Sequence, residues 1–418
     1  MNRYYGRFTL YGGTPVEHKI GVLVGEAAEA IEATIPIKSI RALVLIGGYG
    51  RGEGGVERVG NQEMPHNNLD FLLILKHGAA SSLDRTKYSL SKRLQMIGQK
   101  HGVGMDLSVV TVSQLRQAPC LVMWHDMRFG HKTILGDADF VPSLTQFAPE
   151  RIEASDIRNL LVNRGTLLLI NQMLIEAGPL NEERARTIVG HGMKAIIGYG
   201  DALLFTKGAY HWSYTEKQSR MAAHPDIPSD FRALYDKAIE FRFQPDYGPY
   251  LKIDLAEWMR SLIAMLEPVH LACEASRLNR PGLTWAEYTD LTFQHSLSEG
   301  HFTLRNLARK AHRMSQSLPP LPHSNLLTRL GYRCGGWRGV LPAMFPVIAY
   351  GLALPNEQDR ACKVLHADNT SQSDLRRAYL CNWSYHGDTN FYAAIQKFGL
   401  SLDRNRPAEH NRPVEAVS

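Results

Sequence analysis

Ala42-Leu43-Val44-Leu45-Ile46-Gly47-Gly48-Tyr49-Gly50-Arg51-Gly52-Glu53-Gly54-Gly55 is an apolar run of strand length that passes straight into a turn with glycine at six positions. A second apolar run follows after a polar loop: Asn68-Leu69-Asp70-Phe71-Leu72-Leu73-Ile74-Leu75. Glycines directly after a buried strand let the backbone turn sharply and bring bare N–H groups close to an anion. Side chains alternate along a strand, so Asn68 and Asp70 project to one side while Leu69 and Phe71 project to the other. Met105-Asp106-Leu107-Ser108-Val109-Val110 is a third short strand with a carboxylate near its start. Hard divalent cations take oxygen ligands, commonly one or two carboxylates completed by substrate phosphates. A glycine turn for phosphates beside Asn68, Asp70 and Asp106 is therefore the make-up of a phosphoryl-transfer site.

These residues resemble the motif of the polymerase β-type nucleotidyltransferase superfamily: Gly-Gly or Gly-Ser after an apolar residue, an acid-apolar-acid triplet on the next strand, and a third acid on a later one. The resemblance implies an α/β (α+β) nucleotidyltransferase core with a mixed sheet, followed by a mainly helical domain. It places Gly47 and Gly48 under the triphosphate of an NTP and Asn68, Asp70 and Asp106 at the positions that hold Mg²⁺ or Mn²⁺. Asp70 and Asp106 take the catalytic roles, and Asp106 helps to deprotonate the acceptor hydroxyl. Two departures are visible. The gap between Gly48 and Asn68 is longer than usual for the family, and the first acidic position is Asn. An amide oxygen ligates a cation but brings no charge.

A dinucleotide-binding loop is the sharper rival, since Gly50, Gly52 and Gly55 fit G-x-G-x-x-G after a strand. Against it, no helical pattern follows at once, and Glu53 and Glu57 would face a pyrophosphate. In addition, Asp70 precedes its apolar run, whereas the ribose-binding acid belongs after the second strand.

The 418-residue chain, 44% hydrophobic and 21% charged, has the composition of globular protein and the length for two or three domains. No segment approaches the roughly 18 uninterrupted apolar residues of a membrane helix, and the first residues lack the pattern of a secretory signal. The expectation is a cytoplasmic protein with no membrane association. Five cysteines, odd in number and without a C-x-x-C pair, read as reduced thiols. The net charge of +6 permits an anionic partner. Much of it falls between His301 and Val340, where Arg305, Arg309, Lys310, Arg313, Arg329, Arg333 and Arg338 occur with no Asp or Glu. With Tyr332 and Trp337 among them, this run is a candidate surface for RNA or another anionic acceptor.

Periodicity places helices over residues 16–35 and 81–100, flanking the strands, a short helix at 123–130 and a last strand at 131–137. The nucleotidyltransferase domain then occupies residues 1–145. From Ser155 the pattern turns to long helices, giving a helical domain over 150–316. Within it Lys194 and Asp201 share a helix face, and Tyr210-His211-Trp212-Ser213-Tyr214 with Lys217 and Arg220 forms a polar-aromatic cluster. Aromatic faces stack on bases, and Lys or Arg binds phosphate. The expected nucleotide contacts are thus Gly47, Gly48, Arg51, Lys194, Tyr214 and Arg220. Residues 323–400 read as an extension of unassigned fold, and 403–418 as a disordered tail.

The function expected is Mg²⁺-dependent transfer of a nucleoside monophosphate from an NTP to an unknown acceptor, weakened by Asn68. One alternative is a catalytically inactive nucleotide-binding or scaffold protein of the same fold. Another is an RNA-directed nucleotidyltransferase, since the Gly47-Gly48-x-x-Arg51 start is similar to that of tRNA nucleotidyltransferases.

Overall fold

Residues 5–77, 80–299, 304–388, 391 and 395–396 are described by the computed structural model. The expected tail at 403–418 lies outside them. In chain order the elements are α1 (Thr14–Glu32), β1 (Ile40–Ile46), α2 (Gly47–Arg51), β2 (Val56–Val59), β3 (Gln62–Pro65), β4 (Leu69–Leu75), α3 (Ala80–His101), β5 (Met105–Thr111), α4 (Val112–Gln117), α5 (Val122–Phe129) and β6 (Lys132–Gly136). Then follow α6 (Ala154–Glu176), α7 (Glu182–Thr206), α8 (Tyr214–Ala223), α9 (Ser229–Phe243), α10 (Leu255–Arg277), α11 (Trp285–Ser298), α12 (Leu304–Met314), α13 (Leu326–Ala349), α14 (Pro355–Leu365) and α15 (Gln372–His386). The class is mixed α/β, with a small mixed sheet and a mainly helical C-terminal part.

The chain divides into two compact units. The first takes the described residues up to Asp156 together with Ala209–Asp246; the second takes Ile157–Gly208 and the described residues from Tyr247 on. This cuts differently from the sequence boundaries. Residues 209–246, read above as helical-domain material, pack with the first unit, and residues 323–388 are helices of the second rather than a separate extension.

In the first unit the sheet runs β5-β4-β1-β6. β4 and β5 are parallel, joined by the crossover helix α3, while β1 is antiparallel to both β4 and β6. The central strands bury apolar side chains on both faces. Leu43, Leu45, Phe71 and Leu73 pack with α1 residues such as Ile20, Leu23 and Ala27 and with Leu90 and Leu94 of α3. Val44, Leu72 and Ile74 pack with Leu115, Trp124, Met127 and Phe140 on the opposite face. Pro in the first turn of α1 and a capping box between Thr111 and Gln114 mark helix starts that the sequence encodes locally. The polar loop expected between the glycine turn and β4 contains the β2–β3 hairpin, which accounts for the unusual length of that gap.

Close approach explains the second unit's glycines. A Cβ at Gly331 on α13 would lie 1.9 Å from the Phe293 carbonyl oxygen, so α13 can lie against α11 only with glycine there. α13 continues through Pro342 and Pro346 but kinks at Gly336, whose φ of 58° is in the left-handed range. Among the described residues, no helix is long and apolar enough to cross a membrane.

The second unit also buries neutral histidines. His270 lies among Tyr199, Trp285, Tyr288, Phe345 and Tyr350, with Nδ1 2.7 Å from the Tyr350 hydroxyl. Burial, opposed by Glu274 and reinforced by Arg277, holds its pKa down at about 4. Burial and then Lys194 hold His191 down at about 3. Both values lie below the unfolded value of about 6.5, so the unfolded chain takes up these protons first. Their contribution is complete above pH 6.5 and lost as pH falls toward 4, at about 1.4 kcal/mol per pH unit for each histidine. The urea midpoint should therefore fall between pH 7 and 5, and His270→Phe should show a smaller fall than the parent chain. An equal fall in both would contradict this account.

Candidate functional site

The site is built on one transverse row of the sheet. Ile46 at the end of β1 pairs with Asp70 on β4, and Asp70 pairs in parallel register with Asp106 on β5. Paired residues on neighbouring strands face the same side at a strand spacing of about 4.8 Å, so the two carboxylates project side by side. The covering layer that buries Leu72 and Ile74 stops short of them: Asp70 is half-buried and Asp106 exposed. Gly47, with φ of 68°, follows Ile46, and a Cβ there would lie 2.8 Å from Asp70 Oδ2. The glycine thus allows the turn to approach the carboxylate, as its position in the sequence suggests.

Asn68 reaches the same place. Its Nδ2 donates to Asp106 Oδ2 at 2.8 Å, and a Cβ at Gly104 would be 2.1 Å from Asn68 Oδ1. The amide fits because residue 104 has no side chain, and its N–H offsets part of the charge that two adjacent carboxylates would otherwise confront. Asn68, Asp70 and Asp106 are therefore brought together as expected. The two carboxylates are oxygen donors suited to a hard divalent cation whose remaining positions are filled by phosphate oxygens, while the Asn68 amide turns its N–H rather than its oxygen toward Asp106. Among the described residues no group of three His, Cys, Asp or Glu side chains could hold a metal ion; at this row the third position is the amide.

The glycine run is a short helix, α2, with Gly52 as its left-handed cap. Tyr49 ties it to the start of β4. Its hydroxyl donates to the Gly55 carbonyl at 2.8 Å and accepts from Asn67 N–H at 3.2 Å, and burial pushes its pKa up to about 12. Glu53, which argued against a dinucleotide-binding loop, has a structural use. Buried at 5% exposure, it accepts from Ser213 Oγ at 2.5 Å, Tyr214 N–H at 2.9 Å, Thr215 N–H at 3.3 Å and Thr215 Oγ1 at 3.1 Å. A carboxylate at the first N–H groups of a helix satisfies orphan donors and meets the positive end of the dipole. Glu53 therefore anchors the start of α8 to the glycine turn.

That anchor assembles a stack of cations on Tyr214. The Arg51 guanidinium lies 4.8 Å from the ring centroid, Lys217 Nζ 4.3 Å and the Arg242 guanidinium 4.3 Å. Lys217 is fully buried. Arg51 also pairs with Asp126 at 2.6 Å, whose other oxygen accepts from the Tyr210 hydroxyl at 2.8 Å. Burial works against the Arg51 charge, but Asp126 and the two tyrosines outweigh it and hold its pKa above the usual guanidinium value. Arg242 is placed differently. Its Nη2 lies 3.0 Å from where a Gly48 Cβ would be, and its Nε is buried without a hydrogen-bond partner. The stack thus sets a positive charge beside Gly48, the residue next to the glycine that approaches Asp70.

Three of the other expected contacts are engaged within the first unit, and the fourth belongs to the second. Arg51 is engaged by Asp126, Tyr214 carries cations on its ring, and Arg220 bonds Glu216 and the carbonyls of Ala209 and Tyr210. Lys194 is on α7 in the second unit. Arg242 was missed by sequence reasoning: between Phe241 and Phe243 on a helix it reads as a solvent-facing residue, and only its return to Gly48 identifies it. Comparison with family models, curated proteins and solved structures finds no match.

Removing the anchor tests this geometry. Glu53→Ala leaves helix N–H groups and Ser213 without their buried acceptor, and a destabilisation of about 2–4 kcal/mol is expected from the lost cap and hydrogen bonds. Urea denaturation measures it; a change below about 0.5 kcal/mol, the size of an ordinary surface substitution, would show that Glu53 anchors nothing.

Proposed function

We propose that this chain binds a nucleoside triphosphate over the Gly47-Gly48 turn, with a divalent cation held by Asp70 and Asp106. Its chemistry is transfer of the nucleoside monophosphate to an acceptor hydroxyl. The observation that carries the reading is the register of Asp70 with Asp106 beside a glycine turn that approaches Asp70 directly. Arg242, next to Gly48 and stacked on Tyr214, supplies positive charge where a triphosphate over the turn would lie. Mg²⁺ or Mn²⁺ would be held by the two carboxylates and would offset charge on the phosphates. In this reading the turn and Arg242 position the triphosphate, and Asp106, exposed on the edge strand, would take the acceptor proton. Catalysis of this kind is chiefly positioning and charge neutralisation.

A second reading, nucleotide binding without turnover, is favoured by one contact. The Asn68 amide occupies an oxygen of Asp106, which reduces the negative charge available to a second cation and competes for the proposed base. The RNA-acceptor reading loses part of its support, because Tyr332 and Trp337 in the basic run are buried at 2% and 7% exposure and offer no face to a base.

Calorimetric titration of each NTP with Mg²⁺ separates these contributions. Asp70→Asn should abolish the Mg²⁺-dependent part of binding. Arg242→Ala should weaken NTP binding by about tenfold or more, as expected for a lost charge-assisted phosphate contact, and leave bare nucleoside unaffected. Pyrophosphate release should be slow or absent in the parent chain and gained by Asn68→Asp. Unchanged NTP binding in Asp70→Asn and Arg242→Ala would overturn the reading; robust turnover by the parent with no gain in Asn68→Asp would show that Asn68 does not restrain the site.

A further inference from the structure

An amphipathic helix of a globular protein turns its apolar stripe to the core and its charges to water. In the second unit α12 does the reverse. Leu307, Ala308, Ala311 and Met314, spaced i, i+1, i+4 and i+7, occupy one arc of the helix, and Arg309, Lys310 and Arg313 occupy the opposite arc. The apolar arc faces solvent: Leu307 is 50% and Met314 48% exposed, and both alanines are exposed. The three cations are half-buried. Lys310 Nζ donates to the Leu297 carbonyl at 2.9 Å, and Arg313 Cβ lies 3.0 Å from where a Gly336 Cβ would be, so the glycine of α13 admits the arginine stem. In water this orientation is unfavourable on both counts, since it hydrates aliphatic surface and strips hydration from charge. It suits a helix with an apolar phase on its outer side.

Charge selects among the surfaces that could cover the arc. Residues 300–356 contain no Asp or Glu. At the start of α13, Arg329 and Arg333 are exposed in the same stretch as the exposed Leu326, Leu327 and Leu330. A second copy seated on the arc would set one acid-free, cationic segment against another. A nucleic-acid strand would need exposed rings on which to stack, whereas Tyr332 and Trp337 are buried. Protein-docking faces are commonly anchored by aromatic side chains, and the arc is a row of aliphatic ones. An anionic lipid surface supplies both the apolar phase and the opposite charge. Helices that lie in such an interface have this make-up, with Leu on one face and Lys and Arg on the other.

We propose that the second unit docks through α12 on an anionic lipid surface, with Leu307, Ala311 and Met314 entering the acyl boundary and the positive charge of the segment drawn to lipid phosphates. The contact is peripheral and spans nothing. It departs from the expectation of no membrane association, and it does not rest on the nucleotide reading of the first unit.

The test is flotation of the full chain with vesicles of phosphatidylcholine, with and without phosphatidylserine. Binding is expected only to the vesicles that contain phosphatidylserine, and it should weaken by about tenfold or more in the double variant Leu307→Gln, Met314→Gln, which removes apolar contact and leaves every charge in place. Both side chains are exposed, so the double variant should melt within about 2 °C of the parent. Absence of binding by the parent, equal binding to phosphatidylcholine alone, or unchanged binding by the double variant, which would mean adsorption by net charge, would each overturn the proposal. So would a large fall in the melting temperature of the double variant, or a lipid-free dimer in sedimentation that the double variant loses, because the arc would then be covered by the chain itself or by a second copy.

Discussion

The parallel pairing of β4 with β5, held in register by the antiparallel seam between β1 and β4, is the constraint on which the candidate site depends. It places Ile46, Asp70 and Asp106 in one row. A slip of one residue would turn each side chain to the other face, burying a carboxylate among Leu43, Leu45 and Phe71 and expelling leucines from the core. Because both sheet faces are packed over most of their length, the register that satisfies the core is the one that brings the carboxylates together. Their polarity is tolerated because the second covering layer ends before the row.

A second dependency concerns residues 209–246, which return to the first unit after the chain has passed through α6 and α7. Glu53 accounts for much of how they are held. Its buried carboxylate needs donors, and the exposed N–H groups at the start of α8 need an acceptor. Once α8 is fixed, Tyr214 becomes a platform for Arg51, Lys217 and Arg242. Among these, Arg242 also approaches Gly48, so the buried structural acid and the cation beside the glycine turn are linked through one residue, whose backbone N–H meets Glu53 and whose ring carries Arg242.

The strands and flanking helices of the first unit were legible because their apolar spacing is strong. Residues 42–46 and 69–75 are nearly continuous apolar runs, 105–108 alternate apolar and polar ahead of Val109 and Val110, and α1 and α3 have clear helical periods. The β2–β3 hairpin was not legible, because Val56-Glu57-Arg58-Val59 and Gln62-Glu63-Met64-Pro65 are short, polar and partly exposed. α13 was hidden for a different reason. Its glycines and prolines read as helix breakers, yet contact with the Phe293 backbone selects Gly331 and tertiary packing overrides intrinsic propensity. In the site, strand alternation puts Asn68 and Asp70 on one side, and the motif adds Asp106 on a later strand, but the register that sets Asp106 beside Asp70 is visible only in the sheet. Arg242, on a helix far along the chain, could not, because its relation to Gly48 exists only after the chain returns to the first unit.

The most direct measurement is electron paramagnetic resonance of Mn²⁺ titrated into the full chain with and without a non-hydrolysable NTP analogue. The account predicts a bound Mn²⁺ that requires the nucleotide, shows coupling to phosphorus and disappears in Asp70→Asn. Mn²⁺ binding that ignores the nucleotide, or that persists unchanged in Asp70→Asn, would contradict the claim that this row of the sheet is a metal–nucleotide site.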